Sequence, residues 1–201
     1  MNESLQEFID RENGILHFRS EKWYNGNTYM PLEIYNISIP YKDWHIEIRY
    51  EWKLSEFNKA SAVNYSQSFQ NRFSCEIQAT SNTPLSFAPL SIQHQDRILG
   101  LFKRNTPFKI KCSEPEINTQ LIKSTELLQL GKCISERADF SPVFYGSKKG
   151  ASYTLSAHFL VVSSPVEALE AIFPLFRLLI DLVGERSFAN HSLTGNKNIK
   201  E

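Results

Sequence analysis

Two stretches of the chain alternate between apolar and polar residues, as strands with one buried and one solvent-facing side do. In residues 43–53 the apolar positions are Trp44, Ile46, Ile48, Tyr50 and Trp52. Residues 69–79 repeat this alternation with the same period of two. By their β-branched and aromatic content, we predict further strands at residues 15–20, 32–39, 85–92, 108–112, 140–145 and 151–162.

Residues that interrupt the apolar–polar alternation indicate how these strands are arranged. Residues 55–66 are polar and predict a link between the two alternating strands. Pro89 lies inside the strand at 85–92, which favours an edge or bulged strand because proline lacks a backbone donor. No long helical crossover joins the strands of the first half, so we expect an antiparallel sheet.

Helical patterns occupy the start and the second half of the chain. Residues 5–12 follow a capping box that begins at Ser4. A second helix is predicted from Pro115 to Gly131. The final helix begins at Ser164 and Pro165, and Gly184 is expected to end it.

The order of these elements predicts an α+β domain. It comprises an antiparallel sheet, formed by a meander and a C-terminal hairpin, with two main helices packed on one face. The second of these is the long apolar C-terminal helix. We expect residues 1–184 to form a single domain and residues 185–201, which lack periodicity, to form a flexible polar tail.

Composition excludes several classes of protein. The chain has 201 residues, and its 22 basic and 22 acidic side chains give a net charge of zero. Neutrality argues against a nucleic-acid partner, which would be held mainly by lysine and arginine on phosphates. The 8 glycines show no dinucleotide or phosphate-binding spacing, so we expect no cofactor.

The compartment is predicted from the N-terminus, the cysteines and the hydropathy. The first residues are acidic and polar, which does not fit a secretory signal. The 3 cysteines form no C-x-x-C pair and are expected to be buried, reduced thiols. In residues 168–183, Glu170, Arg177 and Asp181 interrupt the apolar run, so no transmembrane segment is expected. These features predict a cytoplasmic protein.

Candidate chemistry is sparse. The 5 histidines are scattered, and no spacing of histidine or cysteine predicts a metal site. His45 and His158 fall on the polar sides of their strands and are interpreted as surface residues. Glu47 and Glu51 share a polar strand face with Arg49, which is typical of cross-strand pairing and solubility. We therefore predict no catalytic residues, and a protein that is not an enzyme.

The last helix is apolar over more of its circumference than packing on a sheet requires. Its polar positions form one narrow stripe, which consists of Glu167, Glu170, Arg177 and Asp181. We expect the helix predicted from Pro115, a homodimer partner, a bound apolar ligand or a membrane surface to cover the rest, and burial within the chain is the favoured interpretation. The residues proposed for such an interface or cavity are Phe173, Phe176, Leu179 and Ile180.

Besides the last helix, a basic segment is the other feature of the sequence that could have a functional role. It contains no acidic residue and is a candidate patch for an anionic partner, although a solvated face or pairing with the acidic N-terminal third is favoured. Residues 1–60 hold 10 acidic and 7 basic side chains, whereas residues 61–112 hold 2 acidic and 6 basic ones. The members of the segment are Arg97, Lys103, Arg104, Lys109 and Lys111.

From residue 107 onward, a short strand, a capped helix, a hairpin and an apolar helix follow a β-rich first half. This pattern resembles uncharacterised bacterial α+β proteins over roughly residues 34–184, and some members of that group are tethered to membranes. The resemblance implies a bacterial α+β protein and no particular activity.

The sequence leaves two functions open. The first is a binding or interaction module, which binds a protein partner or itself through its C-terminal helix or through the exposed sheet face. The alternative is a helix-grip-like carrier of a small apolar ligand, with a cavity lined by Phe173, Phe176 and a tryptophan, Trp44 or Trp52. A cavity of about 300–1,000 Å³ between sheet and helix would favour the carrier, and a filled interior would oppose it.

Overall fold

The computed structural model describes residues 3–24, 29–60, 65–85, 87–94, 107–137, 140–161 and 165–195. Its helices are α1 (Glu3–Arg11), α2 (Pro115–Lys123), α3 (Thr125–Glu136) and α4 (Pro165–Gly195). Its strands are β1 (Ile15–Tyr24), β2 (Tyr29–Tyr41), β3 (Trp44–Ala60), β4 (Tyr65–Ser81), β5 (Leu90–His94), β6 (Phe108–Cys112), β7 (Val143–Lys149) and β8 (Ser152–Val161).

The eight strands form one sheet in the order β1-β2-β3-β4-β8-β7-β5-β6. Every neighbouring pair in this order is antiparallel. The prediction of an α+β fold with an antiparallel sheet is therefore confirmed. The first four strands are neighbours in chain order, whereas β8 lies beside β4 and carries the second half of the chain onto the same sheet.

The predicted link at residues 55–66 is wrong, because β3 continues to Ala60 and β4 begins at Tyr65. Residues 61–64 lie outside the described part of the chain. The segment contains neither proline nor glycine, so nothing in it interrupts the hydrogen-bonded ladder between the two strands. Pairing with a neighbouring strand maintains the extended backbone where the apolar alternation has faded.

The predicted strand at residues 85–92 is only partly formed, and its interpretation as an edge is wrong. Strand β5 begins at Leu90, directly after Pro89, and lies between β7 and β6. Proline thus precedes the strand, where its missing N–H is not needed for the ladder.

The helix predicted from Pro115 to Gly131 is two helices, because Ser124 caps both of them. Its N–H donates to the carbonyl of Leu121 at 3.1 Å and ends α2, while its Oγ accepts from the N–H of Leu127 at 3.2 Å and begins α3. Gly131 lies within α3 instead of ending it. A Cβ there would be 3.2 Å from the ring of Phe108, so the glycine allows the helix to approach β6 closely.

The end of the last helix also differs from the prediction. Helix α4 passes through Gly184 and continues to Gly195, so the first part of the predicted polar tail is helical. A glycine in a helix interior costs only about 1 kcal/mol relative to alanine. No proline follows it before residue 195, so the helix can continue.

The core contains side chains from alternate positions of the strands. We call this side of the sheet the inner face; it includes Ile37, Ile46, Ile77 and Leu155. Buried side chains of all four helices belong to the same apolar cluster, for example Phe8, Leu121, Leu130 and Phe176.

Among the residues that the structure describes, no helix has the length and apolar character needed to cross a membrane.

Candidate binding surface

The four apolar residues proposed for an interface or cavity on α4 are fully covered by the chain itself. Phe173, Phe176, Leu179 and Ile180 have between 0% and 2% of their surface exposed. A cavity of several hundred Å³ would leave its lining side chains accessible to a water-sized sphere, and these side chains are not accessible. They therefore leave no room for an apolar ligand or a partner at these positions.

The polar stripe of α4 is tied to the rest of the chain by ion pairs. Glu170 pairs with Arg11 of α1, with 2.9 Å between Oε1 and Nη2, and Asp181 pairs with Lys42, with 2.7 Å between Oδ1 and Nζ. The remaining pairs of the stripe join Glu167 to Arg137 and Arg177 to Glu12. Every charged position that the sequence predicted for this stripe thus has a partner within the chain.

Arg177 is the centre of this network. Its guanidinium lies over the rings of Tyr41 and Phe173, at 4.9 and 4.8 Å from their centroids. The hydroxyl of Tyr41 donates to Asp181 at 3.0 Å. A groove of about 490 Å³ follows these contacts between α1 and α4, and charged groups already paired within the chain line much of it. Helix α4 is therefore an internal support of the fold.

We call the opposite side of the sheet the outer face; among the residues that the structure describes, all eight strands carry solvent-accessible side chains on it. Strand pairing aligns its side chains in rows, and no member of the two central rows is buried. The first row is Lys111, Ser91, Tyr145, Ser156, Gln78, Glu47, Ser38 and Ile15. The second row is Lys109, Gln93, Val143, His158, Glu76, Arg49, Asn36 and His17.

Two adjoining grooves run over the outer face. One has a volume of about 530 Å³ and extends from Arg49 to His158 and Leu160. The other has about 480 Å³ and extends from Arg49 to His17 and His45. Arg49 and Glu76, which oppose each other across β3 and β4, line both grooves. The outer face therefore has a continuous shallow depression centred on this pair.

Short-range polar contacts organise the side chains of this depression. Arg49 donates from Nε to Glu51 at 2.6 Å. The Nε2 atom of His158 lies 3.7 Å from a carboxylate oxygen of Glu76 on the neighbouring strand. Because these groups are exposed, water weakens the contacts between them. The contacts nevertheless fix where each charge lies.

One contact group on the outer face superficially resembles a catalytic triad. Ser38 Oγ lies 3.3 Å from His45 Nε2, and Glu47 Oε1 lies 3.5 Å from the same nitrogen. In a triad the two ring nitrogens divide these contacts, because one accepts the hydroxyl proton while the other donates to the carboxylate. Since one nitrogen makes both contacts here, the geometry does not activate Ser38.

The thiols do not provide an activated nucleophile either. Burial raises the pKa of Cys75, Cys112 and Cys133 above the ordinary value, which keeps each thiol protonated. Cys75 is buried, as expected, whereas Cys112 and Cys133 are only half-buried. Within the described ranges, no three potential ligands lie together in a way that would hold a metal ion.

The predicted basic segment falls only in part on described residues. Lys109 and Lys111 are exposed on the outer face of β6, opposite Gln93 and Ser91. Since β6 and β1 lie at opposite ends of the sheet order, these two lysines lie far from β1 in the acidic N-terminal third. The other members, Arg97, Lys103 and Arg104, lie outside the described residues.

The sequence indicates several of the outer-face residues, but it does not indicate that they lie close together. His45, Glu47 and Arg49 are recognisable from the alternation of β3 alone. The approach of His158 to Glu76 depends on β8 pairing with β4, which no local pattern indicates. What the sequence does show of this surface is the set of polar positions that alternate with apolar ones in three separate strands.

No protein-family model, curated protein or solved structure matches the chain.

Proposed function

We propose that this chain is a non-enzymatic interaction module that binds a folded protein partner through its outer face. The apolar helix α4 and the helix pair α2–α3 pack on the inner side and support the sheet, and none of the described helices packs on the outer side, which we assign to the partner. The observation that carries the proposal is the solvent-accessible depression around Arg49 and Glu76, on a sheet whose central strands are packed on the other side.

The dimensions of the outer face suit a protein partner. Eight strands spaced by about 4.8 Å span about 34 Å. The outer positions of β3 from His45 to Glu51 span about 20 Å along the strand. The resulting area of about 700 Å² is close to the roughly 800 Å² that each partner contributes to a standard interface.

The charges indicate what the partner surface should carry. Glu47, Glu51 and Glu76 lie on the central strands, whereas Lys109 and Lys111 lie on the outer face of the edge strand β6. We expect a partner with basic residues opposite the centre of the sheet and acidic residues opposite β6. Because the face is mainly polar, the interface should be wet, with water-mediated contacts.

The carrier of an apolar ligand is not favoured. Phe173 and Phe176, the two phenylalanines proposed to line its cavity, are only 2% and 0% exposed. The grooves on the outer face are shallow and carry charged groups such as Arg49 and Glu76, so they would not enclose an apolar ligand.

We place this interaction in the bacterial cytoplasm. The thiols Cys75, Cys112 and Cys133 are all free, as is usual in a reducing compartment.

Site-specific photo-crosslinking in the cells of origin tests the proposal. The crosslinking amino acid p-benzoylphenylalanine replaces Glu47 or Tyr145 on the outer face, or Gln120 or Lys132 on exposed positions of α2 and α3 as matched controls. We expect one discrete adduct from the two outer-face positions and none from the helices. The double reversal Arg49→Glu and Glu76→Arg should abolish the adduct without changing the thermal unfolding midpoint.

Adducts from the helical positions alone would overturn the proposal, and so would their absence from all four positions. An adduct that survives the double reversal would remove the depression around Arg49 from the binding site. Mass spectrometry of the adduct then identifies the partner and the residues that contact Glu47 or Tyr145.

A further inference from the structure

Strand β1 forms one edge of the sheet and, among the described residues, pairs only with β2. It is 10 residues long and contains no proline. A long edge without proline presents a row of backbone donors and acceptors that another strand can use. This makes β1 a candidate for pairing with a second chain.

The side chains of β1 are exposed on both faces of the sheet. Ile15 is 61% exposed on the outer side and Phe18 is 53% exposed on the inner side. Phe18 is the last ring of an aromatic row that continues through Tyr35 to Tyr50, with centroid distances of 4.9 and 5.7 Å. Tyr35 and Tyr50 are buried, whereas Phe18 at β1 is open to solvent. An additional strand would extend this packing by covering Phe18.

We propose that β1 pairs antiparallel with β1 of a second copy of this chain, about a two-fold axis through Ser20. In this register Arg19 lies opposite Glu21 of the second copy, and Phe18 lies opposite Lys22. Each pair occurs twice because of the symmetry. The first is an ion pair and the second places an ammonium group over an aromatic ring, and both stabilise cross-strand pairing.

The remaining positions of the same register are also compatible. Leu16 meets Tyr24 on the inner side and His17 meets Trp23 on the outer side, so apolar and aromatic surface is covered at both ends. Residues 16–24 of the two copies would form about eight to ten backbone hydrogen bonds, depending on which alternate residues face the partner strand.

Charge selects this register over its neighbours. Moving the axis to Arg19 places that arginine opposite itself, and moving it to Glu21 places two glutamates opposite each other. Like charges directly opposite each other destabilise a strand pair. Within one strand Arg19 and Glu21 already approach to 3.1 Å, so the dimer extends an existing pair into a group of four alternating charges.

The dimer would join two eight-stranded sheets into one continuous sheet. The two outer faces would then lie side by side and stay uncovered, so this inference is independent of the partner proposed above. Loss of the dimer should leave the crosslinks from Tyr145 unchanged, because β7 is far from β1 in the sheet.

Size-exclusion chromatography with light scattering on the full chain tests the dimer. We expect a mass of twice 23.2 kDa, which falls to 23.2 kDa on dilution. Glu21→Arg should raise the dimer dissociation constant by about tenfold, because two attractive pairs become repulsive. The swap Arg19→Glu with Glu21→Arg restores opposite charges in the same register and should return the dissociation constant to its original value.

A cysteine at the two-fold axis gives a second test that does not depend on charge. Ser20→Cys should form a disulfide with its own copy on mild oxidation, because facing residues of paired strands lie within disulfide range. Lys22→Cys is the matched control, since residue 22 faces residue 18 of the second copy and should not form the link.

A mass of one chain up to sub-millimolar concentration would overturn the proposal and leave the edge to an extended segment of another protein. A dimer whose dissociation constant is the same in Glu21→Arg, or one that crosslinks equally through Lys22→Cys, would also overturn it.

Discussion

Replacing Gly146 by alanine should destabilise the protein through one identifiable contact. Gly146 lies on β7 beneath the ring of Tyr153, which is completely buried. A Cβ at this position would be 2.5 Å from Tyr153 Oη and 3.0 Å from Leu155 Cδ2. The tyrosine cannot simply turn away, because its hydroxyl donates to the carbonyl of Ala88 at 2.8 Å.

The magnitude follows from the two consequences of moving the ring. Overpacking of a filled core costs about 1–3 kcal/mol. Loss of the buried hydrogen bond to Ala88 adds about 1 kcal/mol. We expect Gly146→Ala to lower the free energy of unfolding by about 3 kcal/mol, which corresponds to about 6–12 °C in the unfolding midpoint.

Urea unfolding followed by tryptophan fluorescence measures this change, and a double-mutant cycle identifies its cause. Tyr153→Phe removes the oxygen that the new methyl group would strike, so Gly146→Ala should cost about 1–2 kcal/mol less in that background. Gly184→Ala is the matched control: its Cβ meets nothing within 4 Å, so it should stabilise the helix by up to about 1 kcal/mol. Equal costs of Gly146→Ala in both backgrounds would refute the reasoning.

Three further predictions concern the core, the ion-pair network and alkaline pH. Phe176→Ala should lower the free energy of unfolding by about 3–5 kcal/mol, and Phe176→Leu by much less, in the same urea assay. Arg177→Met should cost about 1–3 kcal/mol because Glu12 loses the closer of its two ion pairs and keeps only Arg11 at 3.4 Å, and calorimetry should find the loss smaller when Glu12→Gln is also present. Burial raises the pKa of Tyr50 above its ordinary 10.0, so the unfolded chain releases this proton at lower pH than the folded one. The contribution of this group to the free energy of unfolding is complete below pH 10 and is lost as the pH rises above 10. A urea titration at several alkaline pH values should therefore show falling stability, with a shallower fall in Tyr50→Phe.

The sequence predicts the fold class well where one face of a strand is strongly apolar. The alternation from Trp44 to Trp52 identifies β3, and its polar half correctly locates Glu47 and Arg49 on the solvent side. The same method failed at residues 55–66, where polar composition suggested a link. There the strands persist through backbone pairing with each other, which leaves no mark in the apolar pattern.

Helix boundaries failed for a different reason. The apolar stripe of α2 and α3 is continuous enough to resemble one helix, and only the double capping role of Ser124 divides it. Gly131 and Gly184 were expected to end helices, yet one allows close packing on β6 and the other is tolerated within a longer helix. A glycine alone does not distinguish a helix end from a packing position.

The candidate binding surface depends on the pairing of strands that are distant in the chain, so local sequence patterns could not predict it. His158 and Arg49 come to the same depression because β8 is inserted beside β4. For the apolar side chains of α4, the sequence favoured burial within the chain and left an interface or a cavity as alternatives. They are core residues, because the sheet and the other helices cover them from several sides.

The most direct test of the outer face as a binding surface is its accessibility in the cells of origin. Gln78→Cys places a thiol on the outer face and Lys132→Cys places one on α3, each in a background in which Cys112 and Cys133 are replaced by serine. In the purified chain both should react readily with a membrane-permeant maleimide. In intact cells we predict that the thiol at position 78 is protected while the one at position 132 still reacts. Equal labelling of both thiols in cells would contradict the proposal that a partner covers the outer face.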